Sequence, residues 1–367
     1  MNINTICNLH TVDRLFYIAA TGGGTSFTGQ FLSVPGGSKI IVGGVIPYDS
    51  DAFIDFAGKV DKFADDNAAR KLALASYEYC LKIQKPSNRS VGVGIACSLA
   101  TNNERINRIH KINIAIQELQ FTCVLIVNIQ QGMTREQEET LTNDLTLELL
   151  ECVYLKNLNF IEVARFFRNK NTEKLTFFLD YGFNLLNPTE SIYTKYNNYY
   201  VNSDTLVVYP GSFSILHSGH IEIPQIAKEI TGFPVYYELT IKNSYKAMID
   251  FIELSKRISQ FDKLEKCDGY MVTTAPRFVD KFNVLKNHIK FKELIFVVGA
   301  DIWERVYDKA AHDNGDIKFF EDNNIKFLVF GRDAEIKNQD SKLFIRNERA
   351  QNYNNPISST KLKNKEI

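Results

Sequence analysis

The chain has 367 residues, enough for two domains with separate cores. Apolar residues make up 44% and charged residues 23%, and Lys+Arg and Asp+Glu balance at 43 each, which argues against an overall basic nucleic-acid binder. Six scattered cysteines without a C-x-x-C pair suggest neither a zinc site nor a disulfide framework, and free thiols point to a reducing compartment.

No apolar run approaches the length that spans a bilayer. No long apolar core follows a basic N-terminal region, so no signal peptide is expected. The expectation is a cytoplasmic protein with neither nucleic acid nor membrane as partner.

Residues 15–20 have the pattern of a strand, followed by the loop Thr21-Gly22-Gly23-Gly24-Thr25-Ser26 and a short helix. Val34-Pro35-Gly36-Gly37 is a turn, and 39–46 is a strand rich in β-branched residues. A helical pattern runs over 67–84, and strands are expected at 91–96, 111–116 and 123–129. Thr134-Arg135-Glu136-Gln137 is a capping box that opens a helix reaching about Tyr154. The mixture predicts an α/β layered domain over residues 1–158.

Thr21-Gly22-Gly23, Val34-Pro35-Gly36-Gly37-Ser38 and Gly43-Gly44-Val45-Ile46-Pro47-Tyr48 stand in an order and spacing that resemble the C-terminal domain of the competence/damage-inducible protein CinA. Active members of that family are nicotinamide-mononucleotide amidases. The resemblance implies a nucleophilic serine two residues before Thr-Gly-Gly, where this chain has Ala19. It also implies a lysine where this chain has Phe53, and a Thr-Gly-x-Ala-Gly-Pro run where it has Ala96-Cys97-Ser98-Leu99-Ala100-Thr101. Tyr48 alone is kept. Alanine has no oxygen to attack with, so an inactive domain is expected, kept for folding, dimerisation or ligand sensing. A surviving amidase that uses Thr25 or Ser26 is the alternative.

Residues 159–203 are expected as a helical connector, with helical patterns at 160–167 and 175–186 and a polar, turn-like stretch at 193–202. Beyond it, 206–208 is an apolar strand. The loop 209–220 follows, and then a helix with Ile223, Ile226, Ala227 and Ile230 on one face. Gly232 fits a helix C-terminal cap. Further strands are expected at 235–241, 270–274, 294–298 and 326–330. Ser244 is placed to cap a helix that runs to about Phe261, and Pro276 suits the first turn of the next one. Continuous apolar strands alternating with helices predict a parallel, doubly wound sheet over 204–367. Ligands then lie at the carboxyl ends of the strands, where Asn243, Lys246 and Gly299-Ala300-Asp301 also fall.

A strand, a glycine loop and a helix N-terminus together hold phosphate, because the helix offers free N–H groups and a partial positive charge. Gly211 would let a triphosphate come close to the backbone. The string Gly211-Ser212-Phe213-x-x-x-His217-x-Gly219-His220 resembles the signature of the HxGH nucleotidyltransferase superfamily, which includes nicotinamide-mononucleotide adenylyltransferases and cytidylyltransferases. Ile357-Ser358-Ser359-Thr360-x-x-Lys363 resembles its second motif, with lysine in place of arginine.

The resemblance implies attack by a phosphorylated acceptor on the α-phosphate of a nucleoside triphosphate, with pyrophosphate leaving. His217, His220 and Lys363 would act on the phosphates. Gly211, Ser212, Phe213, Ser358, Ser359 and Thr360 would bind the nucleotide, with Lys246 as a further phosphate contact. Asp301 would meet a ribose hydroxyl or a bound water, or cap the next helix. Trp303 would stack a base or simply pack. A magnesium ion is expected to bridge the triphosphate charge. ATP and nicotinamide mononucleotide are the first substrates to try. The alternatives are a cytidylyltransferase on a small phosphorylated alcohol and a non-catalytic nucleotide sensor. A homo-oligomer is allowed. The loop departs from the family at Ser214, commonly Asp or Asn, and at Ile215, commonly Pro.

Overall fold

The computed structural model describes residues 2–83, 88–102, 109–129, 132–156, 158, 160–167, 172–179, 192–196, 204–241, 248–313, 315–331 and 336–355. The chain divides into two compact units, Met1–Tyr181 with Ile249–Ile252, and Gly182–Met248 with Glu253–Ile367.

The first unit runs α1 (Ile3–Leu9), β1 (Leu15–Thr21), α2 (Phe27–Leu32), a short 3₁₀ turn (Gly37–Lys39), β2 (Ile41–Val45), α3 (Ser50–Ala57) and α4 (Asp66–Ile83). It continues with β3 (Ser90–Ser98), β4 (Lys111–Gln117), β5 (Phe121–Asn128), α5 (Arg135–Tyr154), α6 (Phe160–Phe167) and β6 (Thr172–Leu179). The sheet order is β2-β1-β3-β4-β5-β6. β1 pairs parallel with β2 and β3, and the remaining pairs are antiparallel. Alternation along each strand sends side chains to both faces. Phe16, Ile18 and Ala20 join one core with α1 and α5, while Ala19, Ala96 and Ala115 join the other with α3 and α4. The α5 capping box forms as expected, with Thr134 and Gln137 each bonding the other's backbone.

The second unit contains β7 (Ile192–Tyr196), β8 (Thr205–Gly211), α7 (Ser218–Thr231), β9 (Val235–Thr240), α8 (Phe251–Phe261), β10 (Gly269–Thr273) and α9 (Phe278–His288). Then come β11 (Glu293–Gly299), α10 (Ala300–Asp313), α11 (Gly315–Asp322), β12 (Ile325–Phe330), β13 (Phe344–Ile345) and α12 (Glu348–Gln351). The order is β13-β12-β11-β8-β9-β10-β7. Every pair is parallel except β10 with β7. This is a doubly wound, Rossmann-like sheet. Its strand order reverses between β8 and β11, and such a reversal opens a ligand crevice at the carboxyl ends of the strands.

The stretch expected as a helical connector contributes a strand to each sheet. The helical reading at 175–186 fails over 175–179, because β5 offers a free edge and β6 pairs with it, Leu175 opposite Leu125. Apolar Leu175, Phe177 and Leu179 recur at period two, and strand pairing overrides a weak helical pattern. The turn-like reading at 193–202 likewise gives way to β7 over 193–196, antiparallel to β10. Pro276 stands just ahead of the α9 N-cap Arg277 rather than within the helix.

At the carboxyl ends of β9 and β10 a polar cluster is closed inside the second unit. Glu238 is 0% exposed and its carboxylate lies 2.9 Å from Lys281 Nζ. Lys281 also donates to Thr240 Oγ1 at 2.6 Å and to the Ala275 carbonyl at 2.8 Å. The hydroxyls of Thr240 and Thr273 donate to Glu238. All three ammonium protons have acceptors, which is the condition for burying such a pair.

Candidate functional site

The histidine loop leaves β8 and enters α7 at the sheet's reversal point. His217 is the N-cap of α7 and is buried. The His220 amide donates to the His217 carbonyl at 2.9 Å. The two imidazoles stack, with centroids 3.8 Å apart and planes 28° from parallel. Both rings therefore stand at one helix N-terminus.

Pro224 lies inside α7 and has no N–H for the His220 carbonyl four residues before it. The Tyr237 hydroxyl supplies that donor at 2.9 Å. Burial raises the Tyr237 phenol above its ordinary value, so it stays protonated and keeps donating. The backbone of His220 is thus fixed from the neighbouring strand β9.

Phe213 takes a left-handed backbone, φ 42°, and turns its ring inward. It is 1% exposed and meets Tyr209, His220, Tyr237 and Phe261 edge-on, with centroids 5.2–5.5 Å away. A Cβ on Gly211 would come within 2.6 Å of that ring. Gly211 thus makes room for the Phe213 ring, which packs under the histidines. A Cβ on Gly219 would come within 3.2 Å of the His217 ring, so this glycine seats the histidine. It belongs to the signature, yet the sequence reading gave it no role.

The loop lacks the family's proline at Ile215, and α8 supplies rigidity instead. Arg257 Nη1 donates to the Ser212 carbonyl at 2.8 Å. Gln260 accepts from the Leu216 amide at 2.8 Å and donates to the Phe213 carbonyl at 3.1 Å. Sequence reasoning missed both residues, which lie some forty positions away with no motif around them.

A second approach to the histidines comes from the C-terminal stretch. Tyr353 packs edge-on against Phe330 at the end of β12, and its hydroxyl donates to Glu222 of α7 at 2.7 Å. Asn355 donates to Ser218 Oγ at 3.0 Å and to Glu222 at 3.3 Å. Ser358, Ser359, Thr360 and Lys363 lie outside the described residues, as do Asn243, Ser244 and Lys246.

Asp301 sits in the first turn of α10, at the carboxyl end of β11, where a carboxylate is favoured by the helix dipole. It pairs with Arg305 at 2.8 Å on the surface. Trp303 does not stack a base. It is 0% exposed, its indole donates to the Lys337 carbonyl at 2.9 Å, and its ring packs against Tyr307, Phe327 and Phe344. Among the described residues no three His, Cys, Asp or Glu side chains gather to hold a metal.

In the first unit, Ala19 and Phe53, where the resemblance implied a serine and a lysine, lie in one apolar core. Ala19 is 0% and Phe53 1% exposed, and both belong to the cluster under α4. Tyr48 is exposed. The glycine loop is filled from within the unit. Glu139 of α5 accepts from the Gly24 amide at 2.9 Å, the Thr25 hydroxyl at 3.2 Å, and the Ser26 amide and hydroxyl at 3.2 and 3.3 Å. Arg135 ties the Gly22 carbonyl at 2.8 Å. Glu139→Ala leaves these donors without their acceptor and is expected to cost about 1–3 kcal/mol. Faster hydrogen exchange at Gly24 and Ser26 will report it, and unchanged exchange will contradict it.

Among the described residues no helix is long and apolar enough to cross a membrane. No curated protein matches the chain. Among solved structures, the chain is similar to competence/damage inducible protein CihA from Agrobacterium tumefaciens, at 18% identity over 41% of this chain and 91% of that one, TM-score 0.31. It is similar to a CinA-superfamily protein from Escherichia coli, at 13% identity over 40% and 96%, TM-score 0.30. It is also similar to Plasmodium falciparum nicotinic acid mononucleotide adenylyltransferase complexed with NaAD, at 12% identity over 43% and 78%, TM-score 0.31. Residues 208–365 match the family model Cytidylyltransferase-like, a span that opens in β8 and contains both sequence motifs. Over this part the chain is similar to cytidylyltransferase-like domains, which supports a nucleotidyltransferase.

Proposed function

We propose that the second unit transfers a nucleotidyl group from ATP to nicotinamide mononucleotide and releases pyrophosphate. The stacked His217–His220 pair at the α7 N-terminus, placed at the sheet's reversal point, carries this reading. An acceptor phosphate oxygen attacks the α-phosphorus, and the bond to the bridging oxygen of the β-phosphate breaks. No covalent intermediate on the protein is needed. The two imidazoles and the helix N-terminus would donate to the phosphate oxygens on which charge grows. Ser358, Ser359 and Thr360 would hold the β- and γ-phosphates, with Lys363 as a cation that lacks arginine's fork. Lys246 would add a phosphate contact. Asp301, at the carboxyl end of β11, would meet the ribose. Magnesium would offset the triphosphate charge.

The choice of acceptor rests on association, since both families that the sequence resembles handle nicotinamide nucleotides. The description of the matching family favours a second reading, transfer from CTP to a small phosphorylated alcohol. The first unit we read as a CinA-type domain without amidase chemistry, because its nucleophile position is Ala19 and its loop donors are held by Glu139.

Pyrophosphate release, assayed with each nucleoside triphosphate against a panel of phosphorylated acceptors, tests the reading. Release with ATP and nicotinamide mononucleotide supports it. Release with CTP and a phosphorylated alcohol supports the second reading. No release with triphosphate binding intact makes the domain a nucleotide sensor.

A further inference from the structure

The first unit carries a second polar concavity at the end of β1 remote from the glycine loop. Val12, Asp13 and Arg14 come from the turn before β1, Glu118 and Phe121 bracket the β4–β5 turn, and Val153 and Tyr154 end α5; together they line a cavity of about 320 Å³. That volume is at the small end of ligand sites.

Glu118 is buried, yet Arg14 Nε donates to it at 3.2 Å. Arg14 Nη1 donates to the Asp13 carbonyl at 2.9 Å, and among the described residues its Nη2 corner makes no bond. A guanidinium donor corner and a carboxylate acceptor therefore stand side by side. Their charges cancel, and the neighbouring Asp13 is paired with Arg89. Phe121, Tyr154 and the two valines give the walls flat, apolar surface.

We propose that this cavity binds a small, uncharged, planar molecule with a carboxamide or lactam edge. Such an edge offers one acceptor and one N–H side by side, matching Arg14 and Glu118 in turn. A carboxylate ligand would face Glu118 at close range, and a cationic one would face Arg14, so charged analogues are disfavoured. Burial raises the Glu118 carboxyl above its ordinary value, against the lowering effect of Tyr154 and Arg14. A ligand N–H favours the ionised form, so affinity rises with pH as Glu118 ionises, above the ordinary carboxylate range. The other groups that face Glu118, the phenols of Tyr77 and Tyr154, are both raised by burial and stay neutral throughout.

Isothermal titration of the full chain with benzamide, benzoate and benzylammonium tests this. Benzamide is expected to bind with a Kd on the order of a millimolar or tighter, and the two ions at least tenfold more weakly. Arg14→Gln is expected to weaken benzamide at least tenfold with unchanged circular dichroism. Glu118→Gln is expected to abolish the pH dependence. Benzoate binding as tightly as benzamide, benzamide binding unaffected by Arg14→Gln, or no benzamide binding would each overturn the proposal. Benzamide carries no phosphate, so none of these outcomes depends on what the second unit does.

Discussion

His220→Ala will lower the rate of pyrophosphate release by roughly 10²–10³-fold, the usual cost of removing one donor aimed at developing charge. The His220 ring stacks on His217 at 3.8 Å and stands edge-on to Phe213 at 5.2 Å, so its position is set by packing. Its carbonyl is held by Tyr237 whatever the side chain. The alanine variant should therefore keep its backbone and its circular dichroism while losing turnover. A variant that releases pyrophosphate at the wild-type rate removes His220 from the mechanism.

Lys281→Met will destabilise the second unit by about 3–5 kcal/mol, because it strands the Glu238 carboxylate, 0% exposed, without its counter-charge. Methionine fills much of the lysine's space, so the loss is electrostatic rather than one of volume. Glu238→Gln added to Lys281→Met should recover most of it, since a neutral amide still accepts from Thr240 and Thr273. Urea denaturation of wild type, single and double variants measures both steps. A single variant as stable as wild type would mean that the pair contributes nothing.

Much of the second unit was legible because its signals are local. An apolar strand, a glycine loop and a helix with Ile223, Ala227 and Ile230 on one face state their own geometry. The placing of His217 and His220 at one helix start is likewise local, while their stacking shows only in the structure. What stayed hidden depends on partners distant in sequence. β6 and β7 exist because β5 and β10 have edges to pair, and even the period-two pattern at 175–179 does not name its partner. Gln260 and Arg257 hold the loop from α8 with ordinary polar chemistry that no motif marks. That Gly211 also makes room for the Phe213 ring shows only in the inward turn of that side chain. In the first unit, the sequence alone shows that Ala19 stands where the resemblance implied a serine. It does not show the occupation of the loop by Glu139, over a hundred residues away.

The burial of Trp303 has a practical consequence. It is the chain's only tryptophan, it lies wholly inside the second unit, and its indole is shielded from water. Its emission is set by one half of a two-part chain, while the tyrosines and the amide absorption belong to both. Red-shifted emission on denaturation will therefore time the opening of the nucleotidyltransferase-like half alone. Where the fluorescence and circular-dichroism transitions separate, the two halves melt independently, and where they coincide, the halves melt together. The protein thus carries a built-in optical probe of one half, with no label needed.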